Sequence, residues 1–206
     1  MTAVTSLEVR WILPGTPDIA VARGFSRYCG EIEHRQDDYL LGPGTADVSV
    51  KVRGGRALEV KSYLGSPGVL DIPGRACGRL QSWRKWSLPL PPGGLDGSER
   101  PGWQRVAKAR RIGRFSLGSA EIRAELTEVR TSGQVWWTLA FEANGPSAPR
   151  RDELQVTAVQ VLTQTLADGV LLRVDDSRSY AEWLHGLTVR SGRRAGWTWP
   201  PDTPPR

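Results

Sequence analysis

Cations recur at alternate positions in several short, otherwise apolar stretches. Arg10 stands in "SLEVR", Lys51 and Arg53 in "VKVR", Lys61 in "LEVK", Lys108 and Arg110 in "VAKARR", and Arg123 in "EIRAELT". Carboxylates fall on the same faces: Glu8, Glu59 and Glu125, with Glu142 in "WWTLAFE". Arginine offers a planar fork of donors to phosphate oxygens, and lysine a compact point charge. Cations alone would suffice for a polyanion, whereas carboxylates among them are what a divalent ion requires. The mixture suits a metal–phosphate complex. Taken as periodicity alone, it also suits the solvated face of an ordinary antiparallel sheet.

The elements that must position these residues are strands, because side chains two apart on a strand share a face. In residues 6–13, Leu7, Val9, Trp11 and Leu13 oppose Ser6, Glu8 and Arg10. Val48, Val50 and Val52 oppose Ser49, Lys51 and Arg53; Leu58 and Val60 oppose Glu59 and Lys61, and Gly54-Gly55 supplies a tight turn between the two. Ile122, Ala124 and Leu126 oppose Arg123 and Glu125, while Val135, Trp137, Leu139 and Phe141 oppose Trp136, Thr138, Ala140 and Glu142. Thr131-Ser132-Gly133 makes these a second hairpin. Further strands are expected over 106–117 and 169–174. Helices are expected after Pro17-Asp18, over 151–168 at helical apolar spacing, and from Ser179, where Glu182 completes a capping box. The Pro/Gly-rich 88–102 reads as a loop between two halves of the sheet. The pattern is α+β, dominated by antiparallel sheet, with one domain over 1–190 and a flexible Pro/Arg-rich tail over 191–206.

Composition narrows the partners. The 206 residues carry 28 Lys and Arg against 22 Asp and Glu, a net charge of +6 that favours an anionic partner. Two cysteines without a CxxC motif and two histidines leave little for a zinc site or a Cys–His pair. The first residues lack the basic start and apolar run of a signal peptide, and no segment reaches the ~18 apolar residues of a membrane span. A cytoplasmic protein without a membrane partner is expected. Trp11, Trp137 and Phe141 lie on the apolar parity, away from the cations, whereas single-stranded nucleic-acid sites interleave the two. That argues against nucleic acid.

In their order, these motifs resemble the CYTH superfamily, the triphosphate tunnel metalloenzymes. "SLEVR" corresponds to its opening ExExK strand, "VKVR" to its basic-x-basic strand, "LEVK" to a strand ending in lysine and "VAKARR" to its KxR strand. "RAELTEV" and "WWTLAFE" sit where the family has acidic strands, and "SRSYAEWL" is similar to a C-terminal Ser-Tyr helix. The resemblance implies an antiparallel barrel of about eight strands with covering helices and a charged interior. It implies Arg10, Lys51, Arg53, Lys61, Lys108, Arg110 and Arg123 as phosphate ligands. Glu8, Glu142 and Glu125 would be ligands of Mg²⁺ or Mn²⁺. The expected ligand is a triphosphate-containing small molecule or polyphosphate, with metal-dependent hydrolysis of the triphosphatase type if the protein is an enzyme. Ser6 replaces the first glutamate of the opening motif, and Thr138 and Ala140 stand where active members often carry glutamates. A non-catalytic module that captures a nucleotide, polyphosphate or other phosphorylated ligand is therefore the alternative. Glu59 is expected to pair with neighbouring cations, and Trp83 and Trp86 to be packing residues, with Arg84 or Lys85 reaching a tunnel mouth as the alternative.

Overall fold

The computed structural model describes residues 3–42, 46–91, 101–117, 120–145, 151–167 and 169–190. Alternation at period two becomes eight antiparallel strands: β1 (Val4–Pro14), β2 (Glu33–Leu40), β3 (Val48–Arg53), β4 (Ala57–Ile72), β5 (Ala76–Pro89), β6 (Trp103–Leu117), β7 (Ala120–Thr131) and β8 (Gln134–Gly145). They close into one barrel in the order β1-β5-β4-β3-β2-β6-β7-β8. Gly54 and Gly55, at φ +53° and +69°, make the turn between β3 and β4, and Ser132 and Gly133 at +49° and +71° make the one between β7 and β8. The second is a two-residue hairpin turn, Thr131 pairing with Gln134, and the first takes in Arg56 as well, since Arg53 pairs with Ala57; in both, left-handed residues give a twist that matches the strands they join.

The apolar parity faces outward, and helices cover it. Leu7, Val9 and Trp11 of β1, Ile122, Ala124 and Leu126 of β7, and Leu139 and Phe141 of β8 pack against α1 (Ile19–Phe25) and α2 (Arg151–Thr165) through Val21, Phe25, Leu154, Ala158, Val161 and Leu162. Asp18 caps α1, its Oδ1 accepting from the Ala20 N–H at 2.7 Å. The charged parity is thereby turned to the barrel axis. The long β4–β5 hairpin folds back over the same core, where a Cβ added at Gly78 would lie 2.5 Å from the Trp11 ring and 2.6 Å from Val9. Both neighbours are fully buried. Gly78→Ala is therefore expected to cost roughly 1–3 kcal/mol through overpacking, read as a lower urea midpoint at an unchanged slope.

The interior itself changes character along the axis. Two residues beyond Arg10 comes Ile12, two before Lys108 comes Val106, and two beyond Thr127 comes Val129; these cluster with Tyr39 and Leu41. The third helix, α3 (Tyr180–Arg190), sets Tyr180, Trp183, Leu184 and Leu187 on this apolar ring and closes that mouth of the barrel. Its start is the expected capping box, with the Ser179 N–H donating to Glu182 Oε2 at 2.7 Å and the Glu182 N–H donating to Ser179 Oγ at 3.1 Å.

Two expectations change, and β2 is a strand that the sequence pattern did not announce. Residues 169–174 form no strand: Leu172 makes one isolated bridge to Ala76, and Val174–Asp176 is a 3-10 turn. The expected loop 88–102 starts late, since Leu88 and Pro89 still pair in β5; residues 92–100, like the tail at 191–206, lie outside the described residues. β2 had no periodic signal, because its outward His34 and Gln36 are exposed and no helix covers them. Among the described residues, no helix is long and apolar enough to cross a membrane.

Candidate functional site

The inward parity of the strands lines a cavity of about 90 Å³ at the centre of the barrel. Its wall carries eight cations, Arg10, Arg35, Lys51, Arg53, Lys61, Lys85, Lys108 and Arg123, against four carboxylates, Glu8, Glu59, Glu125 and Glu142. Six of the seven cations singled out in the sequence are among them. Arg110 is not: it turns to Glu33, bonding both carboxylate oxygens at 3.0 Å, and to Glu125. Arg35 comes from β2, whose sequence gives no strand signal. Lys85 of β5 also lines the cavity.

The free space is small because ion pairs cross it. Lys61 Nζ lies 2.9 Å from Glu8 Oε2 and 3.5 Å from Glu142 Oε1, bridging two carboxylates that face each other in register on β1 and β8. Arg123 holds Glu142 from the other side. Burial alone would raise the Glu142 carboxyl, but Lys61 and Arg123 keep it well below the usual carboxylate range. Glu59 accepts from Lys51 at 3.1 Å and from Arg53 at 3.0 Å, which against the opposing effect of burial draws its pKa down to about 2. This is the pairing role expected of it.

A second knot involves a residue the sequence reading missed. Asp37, on β2 and without exposed surface, lies 2.8 Å from Lys108 Nζ, 3.4 Å from Lys51 Nζ and 3.0 Å from Arg35 Nε. Lys108 also donates to the Tyr39 hydroxyl at 2.8 Å. Burial lowers the Lys108 pKa to about 7 although Asp37 works against it, because Lys51 and Arg35 crowd the same carboxylate. Aromatic rings floor the site: the Arg10 guanidinium stands 4.7 Å from the Tyr180 ring centre, and the Lys108 ammonium 4.1 Å from it and 4.9 Å from that of Tyr39. Such contacts stabilise a desolvated cation by about 1–2 kcal/mol. Trp11, Trp137 and Phe141 do lie outside, beneath the helices. The wall nevertheless contains Tyr39, Trp83 and Tyr180, so the separation of aromatics from cations holds only for those three outer residues.

The positions that depart from the family pattern are all interior. Arg10 donates to Thr138 Oγ1 at 3.0 Å. Ala140 lies in register between Arg10 and Glu125, and with no bulk there the two charges meet at 3.6 Å. Glu125 also accepts from Thr127 at 2.8 Å and from Arg110. Glu8, Glu142 and Glu125, expected to hold Mg²⁺ or Mn²⁺, are thus each occupied by cations. Among the described residues, no three His, Cys, Asp or Glu side chains are grouped to hold a metal ion. The donor set does not fit a metal centre held by the protein's own ligands.

A closed eight-stranded antiparallel barrel with inward cations and carboxylates and with covering helices is the architecture that the resemblance to the triphosphate tunnel proteins implies. No protein-family model and no curated protein matches the chain. Among solved structures, a conserved hypothetical protein from Pyrococcus furiosus aligns at a TM-score of 0.50 and 15% identity, over 86% of this chain and 98% of its own. An RNA triphosphatase from Schizosaccharomyces pombe aligns at 0.45 and 11%, over 80% of this chain and 87% of its own. The Mimivirus capping-enzyme triphosphatase aligns at 0.45 and 10%, over 78% and 89%. The P. furiosus protein carries the comparison, which concerns fold alone.

Proposed function

We propose that the barrel binds a phosphate-chain anion, a triphosphate-containing small molecule or inorganic polyphosphate, in its central cavity. The excess of inward cations over carboxylates on one enclosed wall carries this reading. An ordinary solvated sheet face would leave these side chains in bulk water; here they are held in a low-dielectric interior, where charge-assisted hydrogen bonds to phosphate oxygens are strong. Binding proceeds by exchange. Phosphate oxygens take over the cations that Glu8, Glu59 and Glu142 hold in the free protein. Arg10, Arg53 and Arg123 offer forks to non-bridging oxygens, and Lys51, Lys61 and Lys108 offer point charges. Arg110 supports the site indirectly by fixing Glu125 beside Arg10. Among the described residues no group of three ligands stands ready for a metal ion, so the proposal is capture of the ligand, and hydrolysis is not assigned.

Calorimetric titration with tripolyphosphate, ATP and thiamine triphosphate tests this, alongside phosphate release in Mg²⁺ and Mn²⁺. Saturable one-to-one binding that weakens with added salt is expected for at least one compound. Lys51→Met should weaken it roughly 10- to 100-fold by removing a charged donor. Absence of saturable binding by all three would overturn the proposal. Phosphate release lost in Glu8→Gln or Glu142→Gln would establish turnover in place of simple capture.

A further inference from the structure

We infer that the β1–β5 wall of the cavity is a direct anion subsite, built from the indole N–H of Trp83, the hydroxyl of Ser6 and the ammonium of Lys85, which takes a terminal phosphate without a divalent ion. The inference rests on the reading of the cavity as a phosphate-chain site and adds to it where the chain ends and what recognises that end. Ser6 and Trp83 face each other in register on β1 and β5, so their side chains share the inward face. Trp83 lines the cavity at 2% exposure and its Nε1–H has no partner; Ser6 is 3% exposed and its Oγ has none either. Lys85, two residues from Trp83 on the same face and opposite Lys61 on β4, also lines the cavity. No described carboxylate lies within ion-pair distance of its ammonium.

This wall differs from the rest of the site. Elsewhere each cation that meets the cavity is matched by a carboxylate already in place, as Lys61 is by Glu8 and Arg53 by Glu59. Here two donors with no capacity to accept, an indole N–H and an ammonium, stand beside a hydroxyl free to donate. Buried donors without acceptors are costly and are found where a ligand completes them. The group that satisfies all three is an acceptor with several lone pairs and negative charge, which describes a terminal phosphate and excludes a metal cation. Its arrival opens no existing ion pair. The wall is therefore the first contact from which the rest of the phosphate chain displaces the carboxylates.

The test is titration of the full chain with tripolyphosphate in EDTA and again in excess Mg²⁺, with thermal melting of each free variant. Wild-type binding is expected to persist in EDTA. Trp83→Phe and Ser6→Ala should each weaken it about tenfold, and Lys85→Met roughly 10- to 100-fold. The free Ser6→Ala protein should melt no lower than wild type, because it removes a polar atom that has no partner in the fold; a merely structural role would lower the melting temperature. Binding by the wild type that EDTA abolishes, or that all three variants retain in full, overturns the subsite and leaves phosphate-chain binding standing. Failure of the wild type to bind tripolyphosphate under either condition overturns both.

Discussion

Asp37→Ala is expected to destabilise the protein by roughly 3–5 kcal/mol, the range for removing one partner of a buried ion pair. The carboxylate is inaccessible and answers Lys108, Lys51 and Arg35 together. Without it three cations face one another in the barrel. In a domain of this size such a loss lowers the melting temperature by roughly 6–20 °C. Asp37→Asn should cost nearly as much, since the amide keeps the shape but not the charge. Lys108→Met in the Asp37→Ala background should recover part of the loss by removing the most buried stranded ammonium, a coupling that a double-mutant cycle measures. The pH dependence follows in sign. The folded carboxyl sits far below its ordinary 3.8, its burial outweighed by Lys108, Lys51 and Arg35. Its contribution is complete above that value and is lost as pH falls below it. The gap between wild type and Asp37→Ala should narrow in acid, as the carboxylate takes up its proton. Equal stability of the two at pH 7 would mean that water, and not the carboxylate, neutralises this knot.

Lys61→Met should cost roughly 3 kcal/mol, the lower end for a buried pair because its side chain keeps 20% exposure. The reason is the reverse of the first: two carboxylates, Glu8 and Glu142, would face each other with the bridging ammonium gone. Like charges at that separation cannot both remain ionised, so the pair would take up a proton. The folded pair would then bind protons more tightly than the unfolded chain, and the variant, unlike wild type, should gain stability as pH falls from 7 toward 5. Glu142→Gln in the same chain should restore much of the loss at neutral pH while leaving Arg123 without its carboxylate partner. Urea unfolding of the single and double variants at pH 5 and pH 7 measures all of this. A pH-independent loss would mean that packing of the lysine stem, and not its charge, is what the fold uses.

The two knots differ in how far the sequence revealed them. Glu8, Lys61 and Glu142 lie on strands whose outer faces are apolar, because α1, α2 and the β4–β5 hairpin cover those strands; the alternation was therefore visible. Asp37 lies on β2, where "EHRQDDYL" turns exposed polar residues outward and lacks the periodic apolar signal. Arg35 and Tyr39 were hidden with it. Trp83 was missed for another reason. Its bulk reads as core packing in any sequence, and only Lys85, two residues on and lining the same cavity, marks its face as the lumen.

By itself the sequence determined which side chains share a face, where the chain reverses at Gly54-Gly55 and Ser132-Gly133, and how Ser179 and Glu182 start the last helix. These depend on local geometry: the two-residue strand period, left-handed turn residues and a three-residue capping reach. It also determined the order of charged motifs by which the tunnel fold could be expected. Only the tertiary structure decided that the charged face is the inside, because that requires barrel closure and helices seated on the apolar side. It also decided the partnerships. Lys61 meets Glu8 and Glu142, Asp37 gathers Lys108, Lys51 and Arg35, and α3 brings Tyr180 under Arg10. Parity assigns a side chain to a face, but strand register around a closed barrel selects its neighbours, and that register joins residues far apart in the chain.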